Sequence, residues 1–165
     1  MEIINGITDF YLTGPTAVAI GKFDGIHRGH RSLIVEILEQ KKLGCQACVF
    51  TFSPAPSVFF GFSDGRELTT REEKIRIFEE MGVDILIEYP MNHETAAMLP
   101  EVYVEEVLVK RMKVQLVVAG HDVSFGAKGA GKKELLQSMG QAYGFEVRLM
   151  DKVCLEDREI SSTYV

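Results

Sequence analysis

Short apolar runs of strand length alternate with segments of helical periodicity along nearly the whole chain, and no other feature of the sequence restricts the fold as much. Thr16 to Ile20 (TAVAI) is a strand-like run that ends at Gly21. After a glycine-rich turn, Leu33, Ile34, Ile37 and Leu38 recur at the spacing of one helix face until Gly44. The run CQACVFTF, from Cys45, reads as a second strand closed by Ser53, Pro54 and Pro56. Thr70 and Glu73, three residues apart, make a capping box, and Ile75, Ile77, Phe78 and Met81 mark a helix that stops at Gly82. DILIEY (Asp84 to Tyr89) is a third strand, and Pro100 opens a helix through Val102, Val104, Val107 and Leu108. VQLVVA (Val114 to Ala119), a helix from about Lys132 to Tyr143, and FEVRLM (Phe145 to Met150) complete the pattern.

Strands that alternate with helices imply βαβ crossovers, and so an α/β fold with a parallel sheet of about five strands and helices on both faces. In such a sheet a ligand sits beyond the carboxyl ends of the strands, where the strand order reverses. No internal repeat, low-complexity stretch or linker interrupts the 165 residues, so the expectation is a single domain spanning 1–165.

Composition removes several function classes. With 46% hydrophobic and 25% charged residues, the chain is that of an ordinary globular domain. The 24 acidic residues outnumber the 18 basic ones and leave a net charge of −6, against the basic stripe of a non-specific nucleic-acid binder. A phosphate site must then be made locally, from backbone N–H groups, helix ends and a few cations. No apolar run approaches the roughly twenty residues of a membrane helix, and MEIINGITDF has neither the positive nor the apolar region of a secretory signal. A cytoplasmic protein is the expectation, and three cysteines, an odd number, suit a reducing compartment. Cys45 and Cys48 form a C-x-x-C at the start of a strand, where residues three apart point to opposite faces. They read as structural thiols rather than a redox pair or a zinc site.

Chemistry-bearing residues gather in the segments that follow strands. Gly21-Lys22-Phe23-Asp24-Gly25-Ile26-His27-Arg28-Gly29-His30 comes directly after the first strand-like run. Its glycines let a ligand approach the backbone, and the helix that starts here offers unsatisfied N–H groups to an anion. His27 and His30, three apart, project from one face of a first helical turn. The combination favours a polyphosphate cradle over an ordinary turn with two solvated histidines, and zinc lacks a third ligand at a useful spacing. Thr51-Phe52-Ser53-Pro54-Ala55-Pro56, with Phe59, Phe60 and Phe62, makes either one wall of a flat-ring pocket or a set of core and loop anchors. In Gly120-His121-Asp122-Val123-Ser124-Phe125-Gly126, Asp122 either approaches a magnesium ion or substrate hydroxyl, or caps its own turn. Lys128, Lys132 and Lys133 add positive charge near the same rim. Ile160-Ser161-Ser162-Thr163 reads as a helix N-cap or as phosphate ligands, and the stop at Val165 gives the look of a domain cut short.

Together these motifs resemble a known family. The segment from Gly21 to His30, ending in H-x-G-H, is similar to the signature of the HIGH-type nucleotidyltransferases, which have a Rossmann-like fold. With Phe23-Asp24-Gly25 before the histidines it resembles the adenylyltransferase module of bacterial bifunctional FAD synthetases, in which a riboflavin kinase domain follows. Thr51-Phe52-Ser53-Pro54, Leu68-Thr69-Thr70 with Glu73-Lys74, the Gly120 to Gly126 loop, and Ile160 to Thr163 extend the resemblance over essentially the whole chain. It implies transfer of AMP from ATP to FMN with Mg²⁺, giving FAD and pyrophosphate. It implies ATP contacts from Gly21, Phe23, Asp24, Gly25, His27, His30, Ser161, Ser162 and Thr163. FMN contacts would come from Pro54, Pro56, Phe60, Asp122 and Phe125. His27, His30, Asp122 and Ser162 would stand at the reacting phosphates, with Asp122 also the candidate metal ligand. The sequence departs from the family pattern at Ala55, where the family has His between two prolines, at Val123 in a Phe position, and at Glu159 in a basic one. The kinase domain is absent from this sequence, so no riboflavin kinase activity is expected. Two alternatives stand beside this reading: a sibling nucleotidyltransferase acting on another phosphate, and a module that binds ATP or FMN without turnover.

Overall fold

The computed structural model describes residues 1–21, 28–53 and 71–150, with 28–30 described through their backbone. The described strands form one six-stranded parallel sheet in the order β1-β4-β3-β2-β5-β6. They are β1 (Glu2–Asn5), β2 (Thr16–Ile20), β3 (Gln46–Ser53), β4 (Ile85–Pro90), β5 (Val114–Gly120) and β6 (Glu146–Met150). Five of them correspond to the five apolar runs, β2 residue for residue and the others to within one residue at an end. The sixth, β1, lies at the sheet edge beside β4, with Ile3 opposite Leu86 and Ile4 opposite Ile87. Only Ile4 of this short strand is buried, so it carries no apolar run of its own and depends on β4 for its hydrogen bonds.

The helices divide by crossover. α1 (Arg28–Glu39) and α2 (Arg71–Met81) cover one face of the sheet. There Leu33, Ile34, Ile37 and Phe78 pack on Ala17, Ala19, Ala47, Val49, Leu86 and Val118. The three alanines of β2 and β3 keep the strand surface low beneath the bulkier helix side chains. On the other face lie α4 (Pro100–Val102), its π-helical continuation Tyr103–Arg111, and α5 (Lys133–Tyr143). Tyr103, Val104, Val107, Leu108 and Leu136 meet Val18, Cys48, Phe50, Ile85, Ile87 and Val117 on that side. A short helix, α3 (His93–Ala96), is held by a reciprocal cap between Asn92 and Thr95, at 2.9 Å each way. Where a single α-helix was expected after Pro100, the backbone opens into the π register.

This division follows from handedness. From β2 the chain steps outward through β3 to β4 with right-handed crossovers, which put α1 and α2 on one face. It then returns past β2 to β5 and steps the other way to β6, so its later helices lie on the opposite face. The reversal falls between β2 and β5, whose register pairs Ala19 with Val118 near their carboxyl ends. Along β3, Cys48 enters one core and Cys45, just before the strand, packs against the other, as the C-x-x-C spacing requires. Among the described residues no helix is long and apolar enough to cross a membrane.

Candidate active site

The carboxyl end of the sheet at the β2/β5 reversal holds the described part of the expected site. Gly21 leaves β2 with its N–H donating to the Phe50 carbonyl at 3.3 Å, which holds the chain on the sheet as it turns away. α1 starts at Arg28 and lies over β2, β3 and β5, so its N-terminal turn, with His30 in it, stands at this end of the sheet. The first backbone N–H groups of such a helix are unsatisfied and carry the positive end of the helix dipole. That arrangement suits an oligophosphate in a protein whose net charge is −6.

On the facing strand, β5 ends in a tight turn in which Val123 N–H donates to the Gly120 carbonyl at 3.1 Å. His121 N–H donates to the Met150 carbonyl of β6 at 3.3 Å, so the turn is fastened to the neighbouring strand. Asp122, at the tip, is exposed. Gly21, the first turn of α1 and Asp122 thus stand at the same end of the sheet, although about a hundred residues separate the two loops. Among the described residues no group of three or more His, Cys, Asp or Glu side chains is arranged to enclose a metal ion.

Toward the same end of the sheet the chain builds an aromatic cluster. Phe50 and Phe52 of β3 lie edge-on at 5.4 Å, and Tyr89 of β4 stands 5.4 Å from Phe50 and 6.0 Å from Phe52. Tyr103 reaches in from the π-helical segment, 5.5 Å from Phe50 and 5.6 Å from Phe125. Such ring pairs contribute about 0.5–1.5 kcal/mol each beyond their buried area. Phe125 is only 4% exposed and sits inside this cluster, where Phe125 and Gly131 exchange backbone hydrogen bonds at 3.0 and 2.9 Å. The loop can close this tightly because Gly126 has a φ of +80° and passes Pro100 so closely that a Cβ would lie 2.6 Å from its backbone.

One polar atom in the cluster is unsatisfied. The Tyr103 hydroxyl is fully buried and has no hydrogen-bond partner among the described residues, a cost of about 1–3 kcal/mol that folding alone does not recover. Burial pushes its pKa above the ordinary tyrosine value, and desolvation raises that of Tyr89 as well. Both phenols stay neutral and can act as hydrogen-bond donors. Sequence reasoning passed over Tyr103 because it falls on the apolar face of a helix with Val104, Val107 and Leu108. Only the topology places its ring beside Phe52 and Phe125.

Of the other expected site residues, Phe23, Asp24, Gly25, His27, Pro54, Pro56, Phe60, Ser161, Ser162 and Thr163 lie outside the described residues. Lys132 is the N-cap residue of α5, and Lys128 stands exposed in the preceding turn with a φ of 57°.

A doubly wound parallel sheet with a glycine turn, a helix N-terminus and an acidic turn at its switch point defines a nucleotide-binding α/β protein. Comparison with known proteins makes this specific: residues 11–164 match the family model for FAD synthetase, and the chain belongs to that family, whose members are nucleotidyltransferases. It is 35% identical over 169 residues to the bifunctional riboflavin kinase/FMN adenylyltransferase of Escherichia coli K12, covering 100% of this chain and 54% of that protein. It is 35% identical over 163 residues to the protein of the same name from Listeria monocytogenes, covering 96% and 51%. The chain thus spans about half the length of the curated relatives it matches. A crystal structure described as a macrolide-efflux protein from Streptococcus pneumoniae superposes with a TM-score of 0.79 at 26% identity, covering 99% of this chain and 55% of that one.

Proposed function

We propose that the chain is an FMN adenylyltransferase domain that transfers AMP from ATP to FMN, giving FAD and pyrophosphate. The observation that supports this reading is a helix N-terminus at the switch point, suited to phosphates, with the half-buried Phe52 and its aromatic neighbours on the same end of the sheet, suited to a flavin ring. In the reaction a phosphate oxygen of FMN attacks the α-phosphorus of ATP, a new P–O bond forms, and the bond to the departing pyrophosphate breaks. No covalent bond to the protein is required, so positioning and electrostatic stabilisation supply the rate.

In this reading Gly21, Phe23, Asp24 and Gly25 shape the nucleotide cradle, and His27 and His30 meet the ATP phosphates at the start of α1. Ser161, Ser162 and Thr163 add hydroxyl donors, with Ser162 assigned to the reacting phosphates. Asp122 holds the reacting phosphates from the β5 side. Magnesium, which Asp122 would hold together with the phosphates, would spread the negative charge that builds on them. Pro54, Pro56 and Phe60 face the isoalloxazine ring, and Phe125 supports that side from within the cluster. Tyr103 lies beneath that wall, and its hydroxyl would meet the flavin only where binding opens the cluster.

The remaining length of the bifunctional relatives supports a partnership in which this domain, residues 1–165, is joined to a riboflavin kinase domain that makes its FMN. A cytoplasmic location follows from the soluble substrates. Ala55, Val123 and Glu159, which differ from the family pattern, favour one alternative, a module that binds ATP or FMN without turnover. Chromatographic detection of FAD after incubation with ATP, FMN and Mg²⁺ separates the two: FAD supports the transferase, and its absence despite binding supports the module.

A further inference from the structure

Gly120 closes β5 with a φ outside the left-handed region, in strand backbone that any residue adopts. Its lack of a side chain is explained by a neighbour instead. A Cβ at this position would lie 2.9 Å from Asp122 Oδ1, closer than real Cβ contacts come. The carboxylate of Asp122 therefore lies folded back over the Cα of Gly120, in space that a methyl group would occupy. The backbone around it is fixed, since the Val123–Gly120 and His121–Met150 hydrogen bonds leave the turn little freedom. With the backbone held, the atom that can give way is the carboxylate.

This separates Gly120 from the other crowded glycines. A Cβ on Gly126 would strike the Pro100 backbone at 2.6 Å, one on Gly131 the packed Phe125 ring at 2.5 Å, and one on Gly140 the Phe145 carbonyl oxygen at 2.8 Å. In those places the obstruction is backbone or core, and substitution strains the fold. At Gly120 the obstruction is the far end of a short, exposed side chain, which can shift where backbone and core cannot.

We infer that Gly120 is a positioning residue: its missing side chain sets where the Asp122 carboxylate stands at the switch point. The inference rests on the reading of Asp122 as a contact of the reacting phosphates. A displacement of about one ångström at such a group can cost up to about 10²-fold in rate.

The test is a cycle of Gly120→Ala, Asp122→Ala and the double variant, assayed for FAD formation, with unfolding midpoints measured in parallel and the crystal structure of Gly120→Ala solved. The expected result is a loss of about 10- to 10²-fold in kcat for Gly120→Ala at a near-normal unfolding midpoint. In the Asp122→Ala background the same substitution should have no further effect. The structure should show Oδ1 displaced from above residue 120. A normal rate in Gly120→Ala beside a slow Asp122→Ala overturns the positioning inference alone, and so do losses that multiply in the double variant. A normal rate in Asp122→Ala overturns the reading of Asp122, and the inference with it. The crystallographic arm does not depend on turnover: a carboxylate that stays in place in Gly120→Ala overturns the inference even if no variant forms FAD.

Discussion

Arg71 holds the carboxylate of Glu88 from two sides, its Nε donating to Oε2 at 3.0 Å and its Nη2 to Oε1 at 2.8 Å. Glu88 is the buried carboxylate of β4, and Asn5 of β1 donates to the same Oε1 at 2.8 Å. The pair fastens the first residue of α2 to the edge of the sheet, and hydrogen bonding to Glu88 raises the Arg71 pKa. Charge-assisted bonds of this geometry are stronger than neutral ones, but half of the Arg71 side chain is open to water, which screens the attraction. Glu88→Gln is therefore expected to cost about 1–2 kcal/mol of stability. Urea unfolding should show a lower midpoint with an unchanged slope, and an unchanged midpoint would mean the pair contributes nothing net.

Alkaline pH should destabilise the fold through a buried thiol. Cys48 is fully buried in the sheet, and desolvation pushes its pKa well above the ordinary value of 9.0. Above that pH the unfolded chain releases the thiol proton while the folded chain keeps it, so the folded state holds more protons and stability falls as pH rises. At about pH 10.5 this single group removes about 2 kcal/mol relative to pH 8. Tyr89 and Tyr103, both shifted upward, extend the loss above pH 10. Unfolding midpoints measured under reducing conditions at the two pH values should show this fall, and Cys48→Ala should flatten it. An equally steep fall in Cys48→Ala would assign the effect to other groups.

Tyr103→Phe separates stability from binding. The substitution removes a buried hydroxyl that has no partner among the described residues, so the ligand-free protein should gain about 1 kcal/mol. If that hydroxyl meets the flavin, FMN affinity should fall by roughly tenfold at the same time. Thermal unfolding and FMN titration check the two effects. Unchanged FMN affinity would remove Tyr103 from the flavin site.

How much of this could be read from the sequence depended on whether a feature was local. β2 was legible to the residue because Ala17, Val18 and Ala19 are buried between two helical layers, which demands a continuous apolar run. β1 was not, since one buried residue makes no pattern and its pairing with β4 is more than eighty residues distant. The π register after Pro100 was hidden because Val104 and Leu108 fit an α-helical template equally well. At the site, Gly21 and Asp122 stood out because they follow strands in unusual loops. Tyr103 did not, and neither did the reason for Gly120, because both depend on which side chains the topology brings into contact. Glu88 interrupts the apolar run ILIEY, and nothing local shows that Arg71, seventeen residues earlier, pairs with it.

The account stands most directly on FAD formation. The 165-residue chain, incubated with ATP, FMN and Mg²⁺ and analysed by chromatography, is expected to yield FAD. His27→Ala and His30→Ala should each lower the rate by about 10²-fold or more, if both imidazoles stabilise charge on the reacting phosphates. Binding of ATP and FMN with no FAD formed, or a wild-type rate in both histidine variants, would contradict it.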